Sequence, residues 1–137
     1  MGMNTSLFLL PAGTVISSSG DTATSVSGLA PAPMWMKDYQ YPVPGVMPWS
    51  EIDGIDFAAT ISALSGSSAS ITFYIDKLGL DGQYYSIYNT GAITSSSSVN
   101  QSIGPARATQ TDLGVQGRLR WVLVGSSATV SLSMLGV

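Results

Sequence analysis

From Arg118 to Met134 the chain alternates between its two sides almost without a break. Leu119, Trp121 and Leu123 fall on one side of "RLRWVLV", and Arg118, Arg120, Val122 and Val124 fall on the other. Farther on, Ala128, Val130, Leu132 and Met134 alternate with Thr129, Ser131 and Ser133. Side chains on a strand point to opposite faces in turn, so a period of two predicts strands with one dry face and one wet face. Gly125-Ser126-Ser127 interrupts the alternation, and its glycine can take a left-handed conformation. The segment therefore predicts a C-terminal hairpin.

The same corner occurs earlier. "SGSSASITFYI" (Ser65 to Ile75) and "VGSSATVSLSM" (Val124 to Met134) nearly repeat. The first copy follows "IDFAATISAL", which alternates through Ile55, Phe57, Ala59, Ile61 and Ala63, and leads into Ile71, Phe73 and Ile75. Gly66-Ser67-Ser68 thus predicts a second hairpin, the same device in a related position of another sheet. Further strands are expected at Thr22 to Val26, Tyr84 to Tyr88 and Val99 to Ile103, with Asp81-Gly82 as a turn between two of the strands. No window carries a helical period. Seven to eight short strands with Gly/Ser/Asn turns predict an all-β fold, an antiparallel β-sandwich of jelly-roll-like form, as a single domain over 1–137.

Two segments break this pattern. Residues 1–20 hold an apolar patch followed by a Gly/Ser stretch and read as an extended arm. Residues 30–50, "APAPMWMKDYQYPVPGVMPWS", carry five of the seven prolines. Proline cannot donate to a central ladder, so this segment reads as a stiff loop able to present large aromatics. Such a loop either folds over an open end of the sandwich or faces outward. In the outward case Leu7, Phe8 and Leu9 of the arm, with Trp35, Tyr39, Tyr41 and Trp49 of the loop, are candidate interface residues.

Composition narrows the chemistry. Cysteine and histidine are both absent, which excludes disulfides, thiolate metal sites and histidine-activated nucleophiles. Neither lysine adjoins a serine motif suited to nucleophilic work, and no cofactor is expected. Glu51, Asp53 and Asp56 form the one acidic cluster; it lacks the length and order of a calcium loop and reads more simply as a charged turn before a strand. Lys37, Lys77, Arg107, Arg118 and Arg120 are too scattered to track phosphates, so no nucleic-acid partner is expected. No stretch approaches the length of a membrane span, and no basic residue precedes the short apolar run Leu7 to Leu10, unlike a signal peptide.

Only 9% of residues are charged, against roughly 25% in an average soluble protein. Serine and threonine together number 33 of 137, so the polar surface is mostly neutral hydroxyl. A free monomer ordinarily carries more charge. Coverage by neighbours in an assembly explains the deficit, as does a hydroxyl-rich secreted or cell-surface domain. Tyr84, Tyr85 and Tyr88 keep a sugar-stacking platform open, with Tyr84 and Tyr88 expected on one face and Tyr85 on the other.

The order "TATSVSGL", "AATISALSGSSASITFYI", "DGQYYSIYNTGAIT" and "GRLRWVLVGSSATVSLSMLG" resembles small β-sandwich virion proteins of tailed bacteriophages. Asp81, Gly82, Tyr85, Arg118, Arg120 and Trp121 carry the match, which covers about 55–137 with a weak extension over 22–29. The proline-rich segment has no counterpart. The resemblance implies a non-enzymatic virion structural protein. The leading expectation is a capsid decoration (cement) protein that binds the major capsid protein and copies of itself as a homotrimer. A neck, tail or fibre-attachment component is the alternative within that class, and a carbohydrate-binding module the alternative outside it.

Overall fold

The computed structural model describes residues 5–23, 29–30, 47–48, 54–103 and 116–136. Among them every regular element is a strand: β1 (Thr5–Ile16), β2 (Gly20–Asp21), β3 (Leu29–Ala30), β4 (Met47–Pro48), β5 (Ile55–Ser65), β6 (Ser70–Leu78), β7 (Tyr84–Asn89), β8 (Ser97–Ile103), β9 (Gln116–Val124) and β10 (Ser127–Gly136). Seven of these are long, and β2, β3 and β4 are two residues each. They form two antiparallel sheets, sheet A in the order β3-β1-β10-β5-β8 and sheet B in the order β2-β9-β6-β7, with β4 also pairing β9. The expected all-β sandwich is what the chain forms.

The two Gly-Ser-Ser corners are not hairpins. β5 pairs with β10 and β8, whereas β6 pairs with β9 and β7, so each corner carries the chain from one sheet to the other. Alternation cannot distinguish the two cases, because a hairpin and a crossing both turn their apolar side inward. The corners are also partners of each other. One ladder ends at Ser70 opposite Val124 and the other begins at Ser65 opposite Ser127, so residues 66–69 lie across from Gly125 and Ser126. Residues 55–78 and 116–136 are thus one long antiparallel ribbon folded over at its middle.

Close packing at the fold explains both glycines. The Ser126 N–H donates to the Ser65 carbonyl at 2.8 Å, and the Ser65 and Ser127 hydroxyls meet at 2.7 Å. Gly66 has φ +110° and Gly125 φ +104°. A Cβ on Gly66 would stand 2.5 Å from the Ser126 nitrogen, and one on Gly125 would stand 2.8 Å from the Ser65 oxygen. The sequence near-repeat is therefore a structural dyad: the two copies cross side by side, in opposite directions.

Two further crossings flank this ribbon, β1 to β2 through 17–19 and β7 to β8 through 90–96. Partners appear in the same order in both sheets: β1 over β2, β10 over β9, β5 over β6 and β8 over β7. The core lies between the sheets, where Phe57 of β5 meets Phe73 of β6 with ring centroids 5.9 Å apart. Trp121 is buried and donates its indole N–H to the Ser18 carbonyl at 3.0 Å, which ties the first crossing to β9.

The expected N-terminal arm is instead an integral strand. β1 pairs with β10 from Thr5↔Gly136 to Ile16↔Ala128, and Leu7, Phe8, Leu10 and Ile16 are buried in the core. Its alternation is masked by two register shifts. The first lies between Ser6 and Phe8 and leaves Leu7 and Phe8 both inside; the second spans Pro11-Ala12-Gly13. The Thr14 hydroxyl closes the second by donating to the Pro11 carbonyl, and Gly13 turns there with φ +87°. The expected strand at Thr22 to Val26 is described only at its start, where the Thr22 N–H donates to the Leu119 carbonyl at 2.9 Å. Thr22 and Met47 lie along one edge of β9, so the segment 30–50, expected to be a loop throughout, contributes a short edge strand at Met47–Pro48.

Candidate functional site

The two outer faces of the sandwich differ in kind. β1, β5, β8 and β10, the long strands of sheet A, carry a single charged residue, Asp56. Sheet B holds Asp21, Asp76, Lys77, Arg118 and Arg120 on its strands. Charge is therefore segregated to one side.

On sheet B the charges form a clasp around Asp76, whose Oδ1 is buried without a hydrogen-bond partner among the described residues. Asp76 of β6 is buried, and its Oδ2 accepts from the Nε of Arg118 and of Arg120, each at 2.9 Å. The Arg118 Nη1 also lies 3.4 Å from the Asp21 Oδ2. Each guanidinium stacks on a tyrosine, Arg118 at 3.7 Å from the Tyr84 ring centroid and Arg120 at 3.8 Å from that of Tyr74. Two cations are thus matched by two carboxylates and covered by two rings, across β2, β9, β6 and β7. The cluster locks a face. Alternation already set Arg118 and Arg120 side by side, and the missing counter-charge was the signal that could have pointed to Asp76.

Replacing Asp76 by alanine leaves both guanidiniums without their shared acceptor. Breaking an ion pair by removing one buried partner costs about 3–5 kcal/mol. The arginine side chains retain 16% and 31% exposure, so water offsets part of that and the expected loss is about 2–3 kcal/mol. Urea denaturation checks this, with Asp76→Asn, which keeps an acceptor, expected to lose less.

The tyrosines do not form a platform. A bulge between Ile75 and Asp76 in the β6–β7 ladder pairs Tyr88 with Ile75 and Ser86 with Asp76, leaving Ile87 as the extra residue. Tyr84 and Tyr88 are consequently not on a common face as alternation implied. Tyr88 packs on Phe57 at 5.9 Å, and burial raises its hydroxyl pKa. Tyr84 lies under Arg118, and only Tyr85 is exposed.

Sheet A offers a different surface. Ser98, Asn100 and Ser102 of β8 stand beside Thr60, Ala58 and Asp56 of β5, and beyond them lie Ser131 and Ser133 of β10. Cross-strand hydroxyl contacts order this face: Thr60 with Ser98 at 3.1 Å, and Ser102 donating to Asp56 at 2.7 Å. Asp56 is therefore engaged in the sheet, while Glu51 and Asp53 lie outside the described residues, and among the described residues no acidic cluster has metal-holding form. The bulge of β1 rises beside this face. Leu9, Pro11 and Ala12 on one side, Ala58 and Thr60 on the other, and Ser131 and Ser133 between them line a groove of about 390 Å³.

Of the candidate interface residues, Leu7 and Phe8 are buried within the sandwich and cannot reach a neighbour, which corrects the expectation for them. Leu9 is half-buried and lines the groove. Trp35, Tyr39, Tyr41 and Trp49 lie outside the described residues.

Among the described residues one large apolar side chain stands fully in solvent. Leu80 sits at the tip of the β6–β7 turn, which is braced from within. The Gly79 N–H donates to the Gln83 carbonyl at 2.7 Å, and the Gln83 N–H donates to the Asp81 Oδ1 at 3.0 Å. The Tyr85 hydroxyl donates to the Asp81 Oδ2. That bond, followed by the Gln83 N–H, holds the Asp81 carboxyl below its ordinary pKa and pushes the Tyr85 hydroxyl up. The turn was legible from Asp81-Gly82, but its apolar tip was passed over; a leucine between Gly79 and Asp81 was the available signal.

No family model matches the chain, and neither a curated protein nor a solved structure matches it.

Proposed function

We propose that this chain is a non-enzymatic virion structural protein, most directly a capsid decoration (cement) protein seated on the outer surface of a phage head. The observation that carries the reading is the segregation of charge. Among the described residues the outer face of sheet A, four long strands wide, bears a single carboxylate, already bonded to Ser102, and otherwise presents serine, threonine, asparagine, alanine, the exposed Val15 and a shallow groove. A surface meant for water alone is ordinarily peppered with lysine and glutamate. A surface meant to be covered by protein depletes them, and short hydroxyl side chains, though not themselves enriched at interfaces, lose little rotamer entropy on being covered.

The strand order supports the same reading. Four crossings, with strand partners in one order in both sheets, support a jelly-roll wrapping, an architecture used by viral capsid and lectin domains. The lectin branch is the weaker one here, because Tyr84 is capped by Arg118 and Tyr88 is packed in the core. A neck, tail or fibre-attachment position uses the same kind of surface and differs in copy number.

Quantitative mass spectrometry of purified particles tests the proposal. The expected result is this chain at a copy number comparable with that of the major capsid protein. A handful of copies per particle moves it to the neck or tail. Absence from particles overturns the virion reading.

A further inference from the structure

We infer that β8 is an interface strand and that its partner is the β8 of a second copy of this chain, paired antiparallel about Asn100. The inference goes beyond the virion reading and does not need it.

A two-sheet sandwich has four sheet edges, and an edge strand with unpaired N–H and C=O groups is a template for another strand. Among the described residues three of these edges are guarded. Sheet A ends on one side at β3, and sheet B at β2 and β4, each two residues long. Sheet B ends on its other side at β7, where Ile87 makes a bulge. Short strands and bulges are ordinary means of keeping an edge from pairing.

β8 has neither. It is seven residues long and pairs β5 from Ile55↔Ile103 to Ile61↔Ser97 without a register shift. It holds no proline and no charge, and Ser97, Ser98, Asn100, Gln101 and Ser102 are exposed. Among the described residues no strand lies beyond it. The Gln101 side-chain amide donates to the Ser102 carbonyl at 3.1 Å, a bond within the strand that an incoming N–H can replace.

The order of residues identifies the partner. Ser98, Asn100 and Ser102 share the outer face of sheet A, and the set reads the same in both directions about Asn100. An antiparallel copy centred there sets Asn100 against Asn100, and Ser98 against Ser102 on each side of it. Amides and hydroxyls both donate and accept, so every one of these meetings is a hydrogen-bonding pair. The chain already makes such a pair between Thr60 and Ser98. No like charges face each other, which is the usual obstacle to pairing a strand with its own copy.

The contact is isologous and uses up both edges, so it closes at two copies instead of growing into a fibre. A twofold dimer thus stands in place of the homotrimer expected from the resemblance. The axis runs normal to sheet A, so the two nearly uncharged outer faces become one continuous surface on the same side of the pair.

The chain has no cysteine, so an engineered thiol reports without background. Residues opposite one another in an antiparallel pair have Cα atoms about 4.5–5.5 Å apart, within the range of about 4.4–6.8 Å that a disulfide spans. Under mild oxidation Asn100→Cys is expected to give a linked dimer. Leu80→Cys is the control for random collision, being the more exposed position; linking at both positions to the same extent overturns the inference. In sedimentation velocity the unmodified chain is expected to form dimers and nothing larger. Asn100→Lys sets two cations against each other at the axis and should weaken the dimer at least about fivefold, with an unchanged circular dichroism spectrum because Asn100 is exposed. Ser98→Glu combined with Ser102→Lys sets opposite charges across the axis and should pair at least as well as the parent. A chain that stays monomeric at every concentration overturns the inference, as does a trimer, or an Asn100→Lys variant that dimerises like the parent. The two readings fail separately: a β8 dimer of a chain absent from particles sinks the virion proposal alone, and a particle-bound chain whose Asn100→Cys variant does not link sinks this one alone.

Discussion

A chain lacking residues 1–16 is expected not to fold. β1 places Leu7, Phe8, Leu10 and Ile16 in the core, and its ladder covers one whole side of β10. Burying four such side chains contributes about 6–12 kcal/mol on the usual scale for large apolar residues. That is comparable with the entire stability of an ordinary domain, about 5–15 kcal/mol. The truncated chain should show no cooperative unfolding by circular dichroism and should expose the apolar inner side of β10. A graded version is available at Phe8, one of the largest fully buried side chains. Phe8→Ala should cost about 3–5 kcal/mol. A truncated chain that still melts cooperatively would return residues 1–16 to the role of an arm and undo the assignment of β1 to the core.

The second large effect is expected at the folded ribbon. Gly66→Ala places a methyl 2.5 Å from the Ser126 nitrogen at φ +110°, and Gly125→Ala places one 2.8 Å from the Ser65 oxygen at φ +104°. Backbone strain of this kind costs about 1–3 kcal/mol. The clash is with backbone, so it is relieved only by moving the opposite corner, and the total loss should reach about 3–4 kcal/mol. Gly82→Ala is the control, because Gly82 has φ +82° but open space around it. It should show the strain without the clash. Denaturant unfolding of the three variants reads the difference, and the Gly66/Gly125 double variant should cost less than the sum of its parts because the corners share one contact. Equal losses at Gly66 and Gly82 would mean that the corners do not press on each other.

β5 and β10 pair from Ile55↔Gly136 to Ser65↔Ser127, with one register shift between Thr129 and Val130. The β1 bulge then raises Leu9, Pro11 and Ala12 above the face, which makes a groove out of a plane. The groove is therefore built jointly by β1, with its two register shifts, and by β10 and β5, whose ladder carries one.

How legible these parts were depended on whether their physics was local. Regular alternation marked β5 as far as Ile61, and β6, β9 and β10, with their inner residues, and Phe57, Phe73, Leu119 and Trp121 are buried as their parity requires; at Ala63 it failed, because a register shift at Ser62 turns Ala63 outward and Leu64 toward the core. Where a bulge inserts a residue, parity inverts and the reading fails. This happened at Leu7 and Phe8, where a strand looked like an arm, and at Ile87, where Tyr88 turned inward. The clasp was half legible, because Arg118 and Arg120 showed their common face while their acceptor Asp76 came from a strand 42 positions away. The groove was not legible at all, being made of ordinary serines, alanines and a leucine brought together from three strands.

Alternation with period two, and corners rich in glycine and serine, by themselves determined that this chain forms strands with one buried side, and the absence of histidine and cysteine removed whole classes of chemistry. Both follow from covalent identity and from the local geometry of a strand. Only the tertiary structure decided which strands pair, because a hairpin and a crossing between sheets make the same demand on sequence and differ in which distant edge satisfies the backbone. That choice turned two look-alike corners into the two strands of one folded ribbon. It gathered the charges on sheet B and left the face of sheet A nearly bare of them.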